Sequence, residues 1–259
     1  MPDGGLAYDV EDGDDPPVVC LSAFGTTRSV TAAAFGPALH GSGLRTLYVD
    51  LPGHGDSPAT AAPTAEHVIA TVRAFLDEHA GQGALLAGWS YGAYLAAAVA
   101  RRWPETVRGL LLVCPGIRTR DRDLPPASDD AEPAGWLDGV DPEYADHLRV
   151  ALGSRDPDVA QHVSELLVGG TGGDEEYQDL LQANGLAPDD EAATTGYAGP
   201  VTVVAGRQDR VVGYADQYRR MALYPRGTYA VLDGAGHYLP FEQPALLRVL
   251  AQEWVDRCV

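Results

Sequence analysis

Residues 84–92 read ALLAGWSYG, an apolar run that leads directly into a serine flanked by two glycines. The run from Ala84 to Trp89 predicts a buried strand, and the alanine-rich segment from Tyr91 to Arg102 predicts a helix. A G-x-S-x-G pattern between a strand and a helix is typical of a sharp turn that exposes the serine at the helix N-terminus. Because unpaired N–H groups and the helix dipole favour developing negative charge there, Ser90 is a candidate nucleophile.

The rest of the chain alternates short apolar runs with amphipathic stretches. This alternation predicts an α/β fold with a mostly parallel central sheet flanked by helices. The predicted strands are Pro17–Ala23, Leu44–Asp50, Ala84–Trp89, Val107–Cys114, Pro200–Ala205 and Thr228–Leu232. The predicted helices that connect and follow them are Ser29–Leu39, Thr64–His79, Tyr91–Arg102, Tyr214–Leu223 and Pro244–Arg257.

The alternation breaks between Ile117 and Gly199, where a segment rich in proline and aspartate comes first. Helical pieces are predicted within it at Pro142–Leu152, Asp158–Leu167 and Glu175–Ala183. An insertion of this length in a compact domain is usually functional. We therefore expect a core made of residues 1–116 and 200–259, and a helical cap or lid made of residues 117–199.

A serine hydroxyl needs a base to become nucleophilic, and the base needs an acid to orient it. His237 is the best candidate base, because it lies in a glycine-rich loop, GAGHY, after the last predicted strand. Asp209 follows the strand Pro200–Ala205, and one helix and one strand fit between it and the histidine. An aspartate in such a turn is commonly a helix cap. The chain order serine, aspartate, histidine favours the catalytic interpretation.

Residues 50–57, DLPGHGDS, complete a set of motifs that resembles the α/β-hydrolase superfamily, whose members carry a D-x-P-G-x-G-x-S loop at this place. The resemblance covers nearly the whole chain outside the insertion. It implies the α/β-hydrolase fold, a catalytic triad of Ser90, His237 and Asp209, and a cap over the active site. It also implies that His54 and Asp56 have an architectural role.

One motif departs from the superfamily pattern. Members often carry His-Gly-X at the end of the third strand, where the backbone N–H of X completes an oxyanion hole, whereas this chain has Ser22-Ala23-Phe24. The resemblance then implies the backbone N–H groups of Phe24 and Tyr91 as donors. Since these donors are backbone groups, the departure need not abolish the hole. An ordinary core aromatic is the alternative role for Phe24.

Several aromatic and apolar side chains next to these motifs are candidates for contact with a substrate, and ordinary core packing is the alternative for each. The candidates are Trp89, Tyr238 and Leu239 in the core and Trp136 and Tyr144 in the cap.

The resemblance implies a serine hydrolase that cleaves a carboxylic ester or lactone of a small organic substrate through an acyl-enzyme. A non-hydrolytic enzyme of the same fold (a cyclase, lyase or rearrangement catalyst) and a carbon–carbon bond hydrolase are alternatives. A ligand-binding protein without turnover is a third, and the full candidate triad argues against it. Fold analogy does not choose the substrate.

Charge and composition indicate which kinds of binding partner the protein disfavours. The chain carries 37 acidic and 18 basic residues, a net charge of −19, and all the basic residues are arginine. Such a field repels nucleic acids and anionic membranes. No apolar run reaches the roughly 20 residues of a membrane span, and no secretory signal is evident. Lysine-free, alanine-rich composition favours a GC-rich bacterial genome, with salt adaptation as the competing explanation.

The three cysteines, Cys20, Cys114 and Cys258, lack the spacing of a metal site or disulfide. We therefore expect a soluble cytoplasmic enzyme that acts on a small molecule without a metal or cofactor. The sequence leaves the oligomeric state open.

Overall fold

The computed structural model describes residues 5–116, 121–127, 132–186 and 195–259. Its centre is a seven-stranded sheet with the strand order β1-β3-β2-β4-β5-β6-β7. All neighbouring strands are parallel except β1 and β3, which are antiparallel. The strands are β1 (Tyr8–Glu11), β2 (Asp14–Leu21), β3 (Leu44–Val49), β4 (Ala84–Trp89), β5 (Val107–Val113), β6 (Val201–Gly206) and β7 (Gly227–Leu232).

Helices cover both faces of the sheet, as the alternating pattern predicts. They are α1 (Arg28–Leu39), α2 (Ala65–His79), α3 (Tyr91–Arg102), α4 (Ala145–Ala151), α5 (Pro157–Gly170), α6 (Glu175–Asn184), α7 (Ala215–Arg220), α8 (Leu239–Glu242) and α9 (Pro244–Cys258). Single 3₁₀ turns lie at Pro104–Thr106 and Met221–Leu223. Within the described ranges, no helix combines the length and the apolar character that crossing a membrane requires.

Strand β2 shows how the core divides between the two faces. Val18 and Cys20 belong to the apolar cluster beneath α1 and α9, whereas Val19 and Leu21 belong to the cluster beneath α2 and α3. Successive side chains of a strand point to opposite faces, so a strand buried on both sides is apolar throughout. The unbroken apolar run in this strand is therefore typical of the middle of such a sheet.

Strand β1 and helix α8 were absent from the sequence-based expectations. Strand β1 was not expected, because all four of its residues are exposed and it lacks a buried face. It forms the edge of the sheet and is held by backbone pairing to β3. Helix α8 is only four residues long, too short for any periodic pattern to show.

Helices α4, α5 and α6 lie between β5 and β6 in sequence, where helical pieces were expected. They are anchored to the core by isolated β-bridges, Thr26 with Thr171 and His54 with Gly173. The hydroxyl groups of Tyr177 on α6 and Thr60 are 2.6 Å apart. These helices therefore pack on the end of the sheet where the strands have their carboxyl ends and where the candidate site residues are found.

Candidate active site

Ser90 lies between β4 and α3 in a left-handed backbone conformation, with φ 56° and ψ −113°. Its N–H donates to the carbonyl of Val113 over 2.9 Å. A non-glycine residue in this region is strained and persists only where its surroundings hold it. The turn also needs glycine at 92, because a Cβ there would overlap the backbone carbonyl of Leu21. The structure thus presents the Ser90 hydroxyl at the N-terminus of α3, as the motif predicts.

His237 follows β7, and both of its backbone polar groups are engaged. Its N–H donates to the carbonyl of Ala151 over 2.6 Å, and its carbonyl accepts from the indole Nε1 of Trp89 over 2.9 Å. The imidazole is 6% exposed, and its Nε2 lies 3.0 Å from the Oγ of Ser90. These contacts fix the ring beside the serine.

Asp209 follows β6 and is fully buried. Its Oδ2 lies 3.0 Å from the Nδ1 of His237, and its Oδ1 accepts from the N–H groups of Val211 and Val212, each over 2.9 Å. Burial acts to raise the pKa of this carboxyl, but the neighbouring His237 and the three hydrogen bonds outweigh it and hold the pKa below the ordinary 3.8. Asp209 therefore stays ionised and accepts from the imidazole.

Glu242, which the sequence analysis did not single out, links the His237 loop to the insertion. Its Oε2 accepts from the N–H of Gly236 over 2.6 Å. Its Oε1 accepts from the N–H groups of Gly153 and Ser154 over 2.6 and 2.8 Å. Burial raises the pKa of this carboxyl, and the three N–H donors oppose that rise. No short motif marks this residue, because two of its three partners, Gly153 and Ser154, are almost ninety positions away.

Phe24 and Tyr91 line the same cavity as Ser90, and their rings pack edge to face at 5.8 Å. Neither backbone N–H makes a hydrogen bond to another described residue. Free N–H groups beside a nucleophile are what an oxyanion hole requires.

The loop that carries Phe24 is tethered to the DLPGHGDS segment. The N–H of Arg28 donates to the Oδ1 of Asp50 over 2.5 Å, and the Arg28 guanidinium pairs with Asp50, Asp56 and Asp9. The Nδ1 of His54 lies 2.9 Å from the carbonyl oxygen of Pro52. The contacts of Asp50, His54 and Asp56 are thus made to the loops around the site.

A small cavity of about 90 Å³ opens beside Ser90. The five candidate contact residues lie elsewhere: Trp89, Trp136, Tyr238 and Leu239 are buried in the apolar core, and Tyr144 packs against it. The residues that line the cavity are Phe24, Ser90, Tyr91, Tyr94, Gly116, Arg122, Leu186, Val211 and Val212. Of the side chains that sequence reasoning missed, Val211 and Val212 could have been found from their place directly after Asp209.

One group of metal-ligand type is present in the described part of the chain. Ligand atoms of Cys114, Asp209 and His237 all lie within 4.8 Å of one another. Burial raises the pKa of the Cys114 thiol well above its ordinary value, so it is held as a neutral thiol, 3.6 Å from the carbonyl of Gly236. The other two side chains are already hydrogen-bonded to each other and, through His237, to Ser90.

This arrangement can perform nucleophilic chemistry. A neutral imidazole that donates from Nδ1 to a carboxylate has a free lone pair on Nε2, which can take the proton of a hydroxyl 3.0 Å away. The cavity that Ser90 lines is also lined by Phe24 and Tyr91.

Comparisons with known proteins show which family and which fold the chain resembles. The family model described as "Alpha/beta hydrolase family" matches residues 18–248. The chain is similar to the pimeloyl-[acyl-carrier protein] methyl ester esterase of Sodalis glossinidius (strain morsitans), 42% identical over 83 residues that cover 32% of this chain and 31% of the relative. The enzyme of that name from Shewanella sp. (strain MR-7) is 29% identical over 193 residues, 71% of this chain and 64% of the relative.

The chain therefore spans less than two thirds of the length of these curated relatives. Among solved structures, that of an alpha/beta superfamily hydrolase from Oenococcus oeni PSU-1 superposes with a TM-score of 0.81. It is 25% identical in sequence, and the match covers 98% of this chain and 96% of that one.

Proposed function

The chain belongs to the alpha/beta hydrolase family, and from this premise we propose that it is a serine hydrolase that cleaves a carboxylic ester or lactone of a small organic molecule. The observation that carries the proposal is the continuous hydrogen-bonded series from Ser90 through His237 to Asp209, with both distances 3.0 Å, beside a cavity. The names of the curated relatives, which are esterases, support the choice of an ester bond.

In the proposed reaction the Oγ of Ser90 attacks the carbonyl carbon while the Nε2 of His237 takes the hydroxyl proton. Asp209 holds the imidazole through Nδ1 and stabilises its positive charge. The N–H groups of Phe24 and Tyr91 stabilise the oxyanion. His237 then gives its proton to the departing alcohol, leaving an acyl-enzyme. A water molecule, deprotonated by the same imidazole, attacks the acyl group and releases the acid.

The cavity favours a short acyl group. The cavity is small, about 90 Å³, and most of its lining side chains are apolar or aromatic. Apolar walls bind a hydrocarbon chain by removing it from water. We expect esters of short acids to react faster than esters of long ones.

We further propose that the insertion, residues 117–199, acts as a cap over this site. Two of its described residues, Arg122 and Leu186, line the cavity beside Ser90. Ala151 accepts the backbone N–H of His237, so the same insertion contacts the proposed base. A cap built in this way shapes the substrate space and also positions the base. The stretches 117–120, 128–131 and 187–194 of the proposed cap lie outside the described residues.

The test is hydrolysis of a panel of p-nitrophenyl esters, from acetate to decanoate, and of simple lactones at neutral pH. Wild type should hydrolyse the short esters, and Ser90→Ala should lose about 10⁴-fold or more of kcat. Ser42→Ala is the matched control, since Ser42 lies in the turn between α1 and β3, where its hydroxyl accepts from the N–H of Leu44. Equal activity of wild type and Ser90→Ala, or no turnover of any ester or lactone, would contradict the proposal.

A further inference from the structure

A second concave space, of about 300 Å³, lies between the insertion and the loop that follows β6. Four arginines line it: Arg149 and Arg155 come from the insertion, and Arg207 and Arg210 flank Gln208 and Asp209 in the loop. The remaining described residues of the lining are uncharged, so no acidic side chain is among them. We call this space the arginine cleft.

The arginine cleft is lined by positive charges, although the whole molecule has a negative net charge. The chain has a net charge of −19 and only 18 basic residues, yet four of them surround one space. Arginine is always protonated in proteins. Like charges gathered around one concavity repel one another and focus a positive potential there, which attracts anions. An anionic ligand would relieve this repulsion.

Two of the four guanidinium groups are available for such a ligand. Arg207 and Arg210 form no ion pair with any residue in the described ranges. The Arg207 guanidinium lies 5.1 Å from the centre of the Tyr214 ring. Stacking on a ring occupies the face of a guanidinium and leaves its N–H edge for a ligand. Arg149, by contrast, pairs with Asp146 over 2.6 Å and with Glu132 over 3.3 Å.

Both walls of the arginine cleft are fixed by hydrogen bonds. The Nε2 of Gln208 donates to the Oδ1 of Asp233 over 2.8 Å, and its Oε1 accepts from the N–H of Ala235. On the opposite wall, the N–H groups of Gly153 and Ser154 donate to Glu242. A preformed site loses less entropy on binding than one that must be ordered.

We propose that the arginine cleft binds the phosphate or pyrophosphate group of a small molecule. Guanidinium groups bind phosphate oxygens through paired N–H donors, and the two guanidinium groups of Arg207 and Arg210 match a ligand with more than one negative charge. A volume of about 300 Å³ is at the lower end of the range for ligand sites, and it admits a phosphate together with a small organic part. Two sources share this chemistry: an anionic part of the ester substrate, or a separate phosphorylated ligand.

The position of the arginine cleft allows either source. Arg210 lines it, and the next two residues, Val211 and Val212, line the cavity beside Ser90. The two spaces are thus on two sides of one loop, which also carries Asp209. A ligand in the arginine cleft therefore contacts the element that positions the proposed acid.

The first experiment is calorimetric titration of inorganic pyrophosphate at low ionic strength. The proteins are wild type, the double variant Arg207→Gln/Arg210→Gln, and the control Arg226→Gln/Arg248→Gln, which removes two exposed arginines outside the cleft. Both double variants lose the same charge, so the overall field changes equally. We expect binding by wild type and control, and at least about tenfold weaker binding by the cleft variant. Equal affinity in all three proteins, or no binding to wild type, would overturn the inference.

A second experiment separates the two sources and rests on the proposed hydrolysis. It compares kcat/KM for the butyryl esters of glycerol 3-phosphate and of glycerol. If the phosphate belongs to the substrate, the ratio of the two values should fall at least about tenfold in the cleft variant relative to the control variant. If the ligand is separate, the ratio should be the same in both variants, and pyrophosphate should change glycerol ester hydrolysis only where the cleft is intact. Because calorimetry does not need turnover, failure of hydrolysis leaves the binding result standing.

Discussion

Ser90 has a strained backbone conformation, and its hydroxyl lies beside the fixed imidazole of His237. A left-handed conformation at a non-glycine residue costs about 1–3 kcal/mol, and here the bond from its N–H to Val113 holds it in place. The conformation points the hydroxyl out of the turn and towards His237. We interpret the strain as the cost of presenting the nucleophile.

Asp209 gives a pH-dependent contribution to stability. Its pKa in the folded protein lies below the ordinary 3.8, so its ionised form stabilises the fold above that pH. This contribution is lost as the pH falls through the folded-state pKa. The free energy of unfolding of wild type minus that of Asp209→Asn should be constant from pH 7 to about 5 and should then decrease towards pH 2.5, measured by urea unfolding. A difference that increases on acidification would mean that the pKa is raised instead.

The sequence was informative about residues that belong to a local pattern. Ser90 lies in a five-residue motif, and Asp209 and His237 each follow a predicted strand directly. Glu242 and Arg122 could not be found in this way, because each is defined by contacts with segments far away in sequence. The five candidate contact residues were chosen for their nearness in sequence to the motifs, and they lie in the core. Nearness in sequence did not indicate which side chains face the cavity.

The loops after β4, β6 and β7 meet because these strands are parallel members of one sheet. Their carboxyl ends lie at the same edge, which is the usual place for ligand sites in open α/β sheets. Ser90, Asp209 and His237 each occupy the first few positions after one of these strands. The topology therefore brings together three residues that are far apart in the chain.

The approach of α3 to the sheet depends on Gly92. A Cβ at this position would overlap the backbone of Leu21 in β2. Alanine favours a helix over glycine by about 1 kcal/mol, but overpacking costs about 1–3 kcal/mol and also displaces Ser90. Gly92→Ala should therefore lower both the free energy of unfolding and ester hydrolysis. Gly81→Ala is the control, since a Cβ there meets nothing within 4 Å; equal behaviour of the two variants would contradict this account.

Helix α8 holds the His237 loop to the segment around Gly153 through the carboxylate of Glu242. Replacing this residue with alanine leaves the N–H groups of Gly153, Ser154 and Gly236 without their acceptor. We expect Glu242→Ala to lose at least about 2 kcal/mol of unfolding free energy and to lower kcat more than it raises KM, because the His237 loop loosens. The control is Glu253→Ala, whose side chain is 49% exposed on α9. A variant as stable and active as this control would show that Glu242 does not position the loop.

Most elements could be predicted from the sequence because buried parallel strands and amphipathic helices have distinct apolar patterns. The boundaries of β4 and α3 agree with the prediction at both ends. Strand β1 was not predicted, because it has no buried apolar face and is held by backbone pairing at the sheet edge. Helix α7 is shorter than expected, since its last turn is a 3₁₀ turn at Met221–Leu223.

The whole molecule carries an excess of negative charge that opposes folding. At a net charge of −19, self-repulsion destabilises the compact state. Raising the salt concentration from 0.1 to 1 M shortens the screening length from about 10 to about 3 Å. We expect the Tm at pH 7 to rise by at least about 3 °C, because screening this repulsion outweighs screening the ion pairs. Near pH 4.5, the isoelectric point, the same change in salt should have a much smaller effect, and an equal effect at both pH values would contradict this reasoning.

The family match extends from residue 18 to residue 248 and so includes helices α4, α5 and α6 as well as most of the sheet. Within it, the arginine cleft could not be predicted from the sequence. Arg149 and Arg155 are separated from Arg207 and Arg210 by more than fifty positions, and only the folded chain brings the two pairs together. Their convergence is a property of the tertiary structure.

The central claim is that His237 activates Ser90, and covalent labelling tests it without knowledge of the substrate. Wild type, Ser90→Ala and His237→Ala would be treated with a fluorophosphonate, and the modified peptide would be identified by mass spectrometry. Wild type should be modified rapidly and only at Ser90, and Ser90→Ala should not be modified. Labelling of His237→Ala should be slower by about 10³-fold or more. Labelling of other serines at the same rate, or equal rates for wild type and His237→Ala, would contradict this claim.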